Sequence, residues 1–377
     1  VREWQRGLST ETLREFTGLF RQQQRGYAFG RFSLPNEADV AAALAENRVV
    51  WARHGATLAA AALFRRLKRG SQRADFTGRS FAIGAGAAYV SHFAWVRDAE
   101  AARVLARLRL APEVWIEAFE EDAQTVKLLE RHGFAWATTR VLASSDVRGI
   151  YHRGDGIVPP PLPPEEMATL AVLRHDFIDA EERAALLAEV ERGAAWTQHY
   201  STYNRRKSWT AFSLAGYKPG DPTFVIKPNE MSKVWRAENA TLLSAEAVPT
   251  VLAGRFPRTM AVVARLPGAK ERVRLMRLAP NGELSRHADI TDRDAGVADG
   301  KIARLHLPLR TTPLVRFSAW SARGAHLEAS FPARCVFYLD QRKPHAVVNA
   351  SPQCDRVHLV VDCIASKELR QWISASL

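Results

Sequence analysis

The chain has 377 residues, is 47% hydrophobic and 25% charged, and carries a formal charge of +13 at pH 7. That length supports two domains with a sizeable core in each, and the composition is that of a globular protein. No run of about 18 uncharged apolar residues occurs, which excludes a membrane-spanning helix. The positive charge predicts either an anionic partner such as nucleic acid or a coding bias toward arginine. Only ten of the 53 basic residues are lysine, and no Lys/Arg block exceeds three residues. Cys335, Cys354 and Cys363 show no C-x-x-C spacing. This odd set suits a reducing cytoplasm and argues against a structural zinc site. The opening stretch VREWQRGLSTETLREF begins at Val1 and holds no apolar signal core.

The first ~140 residues alternate helix and strand signals. In STETLREFTGLFRQQQ, Leu13, Phe16, Leu19 and Phe20 share one helical face. NEADVAAALAEN starts at a good N-cap, Asn36. RVVWAR and ATLAAAALF are short β-type runs. AYVSHFAWV leads into the helical DAEAARVLARL, EVWIEAF leads into EDAQTVKLLERHGF, and AWATTRVLA closes the set. The expectation is an α/β layered domain over residues 1–153. Within it, LLERHGFAWATTRV (Leu128 to Val141) has a helix, a Gly turn and a strand in order. On that stretch, Ala88 to Ala143 resembles the C-terminal half of the GNAT-type N-acetyltransferase fold. That family cradles the acetyl-CoA pyrophosphate in a Gly-rich turn at a helix start. Here the matching turn reads WVRDAEAARVL, without glycine and with Asp98 and Glu100 facing the anion. The Gly-rich IGAGAA precedes a strand instead. The resemblance therefore implies an acetyltransferase-like scaffold that does not transfer acetyl groups.

GDGIVPPPLPPEEM carries five prolines between Pro159 and Pro164. Such a run favours extended polyproline II and predicts a linker over residues 154–165. Residues 166–377 form the second predicted domain. DAEERAALLAEVERG reads as a helix with an Asp179/Glu182 capping box and a stop at Gly193. From about Trp196 the texture turns to β. TFVIKP, RVRLMRLA, IARLHLPL, LVRFSAW, AHLEASF, RCVFYLD, HAVVNA and RVHLVVDCI are separated by turn signals such as APNG, RTTP, SARG and QRKP. About eight strands at this spacing predict an all-β jelly roll, the double-stranded β-helix of cupin-like barrels, with flanking helices.

A His and an Asp two residues apart, His287 and Asp289, follow one of these runs. In extended backbone, residues i and i+2 project to one side, so both can face one ion. His345 opens a strand 58 residues downstream and supplies a second imidazole. Two His and a carboxylate leave open positions on an octahedral ion, the pattern of non-haem Fe(II) oxygenases. Arg356, eleven residues on, offers the bidentate cation that a dicarboxylate co-substrate such as 2-oxoglutarate requires.

The stretch Arg272 to Asp362 contains the words RLMRLAPNGELSRHAD, ARLHLPLRTTP, CVFYLDQRKPHAVVNAS and RVHLVVD. In them the chain resembles the aspartyl/asparaginyl β-hydroxylase-like dioxygenases, which include free-proline hydroxylases. The resemblance implies Fe(II), 2-oxoglutarate and O₂ as cofactor and co-substrates. It further implies His287, Asp289 and His345 as iron ligands and Arg356 as the holder of 2-oxoglutarate. Arg304 and His306, in RLHLPL, would help line the co-substrate pocket. An amino acid or peptide substrate is expected, with a nucleobase or other anionic macromolecule as the alternative. A non-enzymatic cupin-like binding module is a further alternative.

With eleven histidines, one H-x-D by chance is unremarkable when taken alone. A rival H-x-E, His326 and Glu328, lacks a distal His followed by Arg and reads as an ordinary strand pair. His358 and Asp362 share a face with Arg356 and have either a supporting or a purely structural role. Trp320 and the group Trp196, Tyr200 and Tyr203 are expected in the core. YNRRKS (Tyr203 to Ser208) is expected as a solvated loop.

Overall fold

The computed structural model describes residues 9–24, 35–201, 203–204 and 206–377. Part of the opening stretch (residues 1–8) and Arg205 of the basic YNRRKS loop lie outside the described residues. The chain divides into two compact units: residues 1–161 with 322–325, and residues 162–321 with 326–377.

The first unit is built on a six-stranded sheet. Its spatial order is Val49–His54, Thr57–Arg66, Ala88–Trp95, Glu113–Phe119, Val147–Gly154 and Ala135–Val141. All neighbours are antiparallel except Ala88–Trp95 with Glu113–Phe119. A parallel pair needs a crossover, and the helix Asp98–Leu108 supplies it. That helix buries Ala101, Val104, Leu105 and Leu108, the i, i+3, i+4, i+7 face of an amphipathic helix. The helix Thr10–Gln24 buries Phe16, Leu19 and Phe20, the face expected from their spacing. Asn36 caps Glu37–Ala45 in a capping box with Asp39.

Val147–Gly154 is an inner strand that the sequence patterning left out, because arginines, a histidine and two glycines interrupt its apolar run. Gly149 is required there: a Cβ would stand 1.8 Å from Glu120 Oε1 and 2.7 Å from the Tyr151 ring.

The second unit is a pair of facing antiparallel sheets. In the larger, Thr197–Gln198, Trp209–Gly216, Lys270–Leu278, Arg356–Ile364, Ile302–Arg310, Val336–Leu339 and Leu170–Arg174 follow one another, and Val248–Pro249 adds to Trp209–Gly216. The smaller runs Glu283–His287, His345–Asn349, Val315–Trp320, His326–Ala329. This is the expected double-stranded β-helix.

Strand periodicity explains how it works. Along Arg356–Ile364, Val357, Leu359 and Val361 join a core cluster that also holds residues of the helices Ala180–Gly193, Pro257–Ala264 and Lys367–Ser374. The alternate residues, Arg356, His358, Val360 and Asp362, take the other face, between the sheets. Lys270–Leu278 repeats the pattern, with Val273 and Leu275 in that cluster and Arg272 and Arg274 opposite. In Ile302–Arg310, Ala303, Leu305 and Leu307 join it while Arg304 and His306 take the other side.

Three local expectations are corrected. TFVIKP is not a strand: Thr223 N and Oγ1 both donate to Asp221 Oδ1 at 3.1 and 2.5 Å, and a 3₁₀ turn follows at Pro228–Glu230. This Asx turn overrides the β-propensity of Val225 and Ile226, which are buried in a loop. The predicted linker is not extended to its end, because a one-turn helix begins at Pro164. Proline suits the first helical position, whose N–H would be unbonded in any case. The helix does stop at Gly193, but Gly193 is its last helical residue, before Ala194, rather than a left-handed cap beyond it. Its lack of a side chain admits Phe256, whose ring would stand 3.0 Å from a Cβ. The strands Leu170–Arg174 and Trp209–Gly216 and the helix Lys367–Ser374 were also not anticipated from the patterning.

Candidate metal centre

His287 ends the strand Glu283–His287, and His345 begins His345–Asn349. The two are register partners beside a β-bulge, with ring centroids 4.3 Å apart. Asp289 lies two residues past His287, and its N–H donates to Gln341 O at 2.8 Å, which pins the turn. One ligand atom each from His287, Asp289 and His345 falls within 4.8 Å of the others.

The ring orientations are set by backbone carbonyls. His287 Nδ1–H donates to Ser285 O at 2.8 Å, and His345 Nδ1–H donates to Lys343 O at 2.9 Å. Both bonds fix the tautomer and leave Nε2 with its lone pair, as a metal-binding imidazole requires. His287 Nε2 stands 3.8 Å from Asp289 Oδ1. The other carboxylate oxygen, Oδ2, accepts from Arg304 Nη1 at 2.8 Å. Burial alone would raise the Asp289 carboxyl. Arg304 and the two imidazoles hold it well below the usual carboxylate range instead. Burial, and then His287, pushes His345 down to about 4, and burial also lowers His287. At neutral pH the three groups are therefore two neutral imidazoles and one carboxylate, the protonation state that binds a divalent cation.

A cavity of about 160 Å³ opens beside this trio. Arg356, Arg304 and His306 line it as well. Arg356 is buried, sits 5.4 Å from the Phe317 ring, and has no hydrogen-bond partner at Nε or Nη1 among the described residues. Burial alone pushes its guanidinium down to about 9. A buried cation left in that state is costly unless a ligand supplies the anion. His306 stacks on Phe337 at 4.8 Å, with neither ring nitrogen bonded among the described residues. Arg304 is a cavity residue and also a bridge: Nη1 holds Asp289, while Nε donates to Asp362 Oδ1 at 2.9 Å. Asp362 further accepts from Arg272 Nε at 2.8 Å and Arg274 Nη2 at 2.9 Å. His358 is buried against Phe317, with both ring nitrogens unbonded among the described residues. His326 and Glu328 lie exposed on His326–Ala329, apart from the trio.

The expectation that Tyr200 and Tyr203 belong to the core is overturned. Both line the cavity, and Tyr203 stacks on His287 at 4.3 Å. Their loop is held open by Asn204, which donates to His199 O and Trp209 O and accepts from Trp209 N. Trp196 packs on Phe212 in the core, and Trp320 is buried, as expected. Glu230, Arg272 and Arg274 also line the cavity and were missed. For the arginines a signal existed: charges alternating with Val273 and Leu275 in a strand buried on both faces are not solvated.

Residues 175–366 match the family model described as aspartyl/asparaginyl beta-hydroxylase. No curated protein matches the chain. Among solved structures it is similar to the non-haem α-ketoglutarate-dependent epimerase SnoN from nogalamycin biosynthesis, at 13% identity over 53% of this chain and 78% of that one, with a TM-score of 0.33. A prolyl-4-hydroxylase from Pseudomonas putida is 17% identical over 52% of this chain and 92% of its own, with a TM-score of 0.30. A GNAT-family acetyltransferase from Bacillus cereus is 12% identical over 39% of this chain and 94% of its own, with a TM-score of 0.28. No helix among the described residues is long and apolar enough to cross a membrane. The donor set fits Fe(II), and the unpaired Arg356 in the same cavity fits a dicarboxylate such as 2-oxoglutarate. Matched over half its length, the chain belongs to the aspartyl/asparaginyl β-hydroxylase family and is a hydroxylase using Fe(II), 2-oxoglutarate and O₂.

Proposed function

We propose that the protein hydroxylates an unactivated C–H of an amino acid, free or within a polypeptide, with His287, Asp289 and His345 holding Fe(II). The observation that carries this is the convergence of two oriented imidazoles and one ionised carboxylate beside a buried, unpaired guanidinium. When bound, iron with 2-oxoglutarate and O₂ supplies the oxidising power that the side chains lack, and succinate and CO₂ leave. The protein's residues supply geometry. The carbonyls of Ser285 and Lys343 aim each Nε2 inward. Arg304 donates to Oδ2 of Asp289 and would thereby leave Oδ1 to hold the metal. Arg356 would hold the distal carboxylate of 2-oxoglutarate through its guanidinium. His306 lines the same cavity and can donate to the co-substrate. Apolar walls of Met276, Leu284, Phe317, Leu339 and Val347 keep water from the reacting centre. The family match gives no support to a nucleic-acid substrate.

The test is succinate formation by the full chain with Fe(II), ascorbate and 2-oxoglutarate, alone and with amino acids and peptides added. Turnover that disappears in His287→Ala is expected. Absence of succinate under every condition, or equal succinate from the His287→Ala protein, would sink the reading.

A further inference from the structure

The cavity wall is charged in a way that the cofactors do not use up. Arg272 and Arg274 project between the sheets from Lys270–Leu278, where Arg272 is level with Asp362 and Leu278 is level with Arg356. Six residues of strand, roughly 20 Å, therefore separate the Arg356 end from the Arg272 end. The Arg272 end meets solvent: Tyr200, 54% exposed, and Ile290, 41% exposed, both line the cavity. The cavity thus has a deep end suited to a co-substrate and an open end suited to a substrate.

At the open end a carboxylate and a guanidinium are both under-partnered. The Glu230 side chain is 12% exposed. Its cationic neighbour Arg272 Nη1 stands 3.9 Å from Oε2, and among the described residues its one hydrogen bond, accepted from Lys227 N, is long at 3.5 Å. Arg272 is itself engaged by Asp362 at 2.6 Å. Arg274 is buried, its Nε has no partner among the described residues, and its Nη2 shares Asp362 Oδ2 with Arg272 and Arg304. One carboxylate serving three guanidiniums leaves Arg274 short of negative charge. Lys227, the other buried cation nearby, is already held by Asp292 at 2.9 Å and Glu271 at 3.3 Å.

We infer that the open end binds a free α-amino acid as its zwitterion, its ammonium on Glu230, its carboxylate on Arg274, and its side chain toward the metal trio beside Tyr203. An internal residue of a polypeptide has neither charged group and would leave both Glu230 and Arg274 buried and unmatched. The inference rests on the dioxygenase reading above and narrows its substrate to one class.

The experiment follows succinate from the iron-loaded full chain with each of the twenty standard L-amino acids. The stimulating one is then compared with its N-acetyl and C-amide forms and with a blocked peptide containing it. Binding to the protein loaded with Mn(II) and 2-oxoglutarate is measured in parallel by calorimetry, independently of turnover. The expected result is stimulation by a free amino acid and loss of at least tenfold in kcat/KM with either blocked form. In Glu230→Gln the KM and Kd for the amino acid should rise roughly ten- to hundredfold, while the KM for 2-oxoglutarate moves less than about twofold. Equal use of the blocked peptide, no stimulation by any free amino acid, or an unchanged Kd in Glu230→Gln overturns the inference. Persistent uncoupled succinate formation in those cases leaves the dioxygenase reading standing. Absence of any succinate together with absence of Mn(II) binding removes both.

Discussion

Replacing Arg356 by methionine should make the ligand-free protein more stable and the enzyme worse. Arg356 is buried, its Nε and Nη1 are unbonded, and burial alone pushes its guanidinium down to about 9. From an ordinary value near 12.5, that is roughly 5 kcal/mol of disfavoured charge. Water entering the cavity would reduce the figure, so the realistic gain on replacement is about 1–4 kcal/mol. Methionine follows the same path past Phe317 with a similar stem and no charge. Amide exchange in the strand Arg356–Ile364 reads the stability of this unit directly, and protection should rise roughly ten- to a thousandfold. The same variant should raise the KM for 2-oxoglutarate by about a hundredfold, since two charge-assisted hydrogen bonds are lost. An Arg356→Met protein with weaker exchange protection and an unchanged KM for 2-oxoglutarate would refute the argument that Arg356 is an unpaired cation awaiting an anion.

Two further outcomes follow from the same buried charges. Asp362→Asn should cost about 3–5 kcal/mol, seen as lost exchange protection, because an amide cannot accept from three guanidiniums and its NH₂ faces donors. Between pH 6.5 and 4 the metal-free protein should lose stability as pH falls. His345 titrates near 4 when folded and near 6.5 when unfolded, so the unfolded chain takes up the extra proton. That contribution, about 3 kcal/mol, is present above pH 6.5, is lost as pH falls to about 4, and should vanish in His345→Gln when urea midpoints are compared across this range.

Much of the second unit was legible because its strands carry period-two apolar residues between turn signals. His287, Asp289 and His345 were visible as a spacing pattern, since i and i+2 must share a side in extended backbone. What stayed hidden depends on partners distant in sequence. Asp362 gathers Arg272, Arg274 and Arg304 from 90, 88 and 58 residues away. No local pattern distinguishes that carboxylate from a structural one. Tyr200 and Tyr203 looked like core aromatics because composition does not reveal that Asn204 staples their loop into a turn. TFVIKP misled for the opposite reason: the Asp221 side chain holds the backbone N–H of its first residue, Thr223, in a turn.

The bridge made by Arg304 ties the legible part of the site to the hidden part, and its shape matters more than its charge. Nε reaches Asp362 and Nη1 reaches Asp289, 2.9 and 2.8 Å away. A rigid planar fork can hold two carboxylates at once; a lysine ammonium keeps the charge but is a single point on a flexible stem. With Arg304→Lys, Asp289 would remain ionised, because His287 and His345 still favour its charge. Its Oδ2 would lose its fixed donor, and Oδ1 would no longer be held toward the imidazoles. Loss of such an orienting partner typically costs ten- to a hundredfold in metal affinity. Titration of the metal-free protein with Mn(II), followed by electron paramagnetic resonance, should show a weakening of that size. Exchange protection in Arg356–Ile364 should fall far less than in Asp362→Asn, since Arg272 and Arg274 keep their carboxylate. Equal Mn(II) affinity in Arg304→Lys and the parent protein would mean that charge alone sets Asp289, and that the fork is incidental.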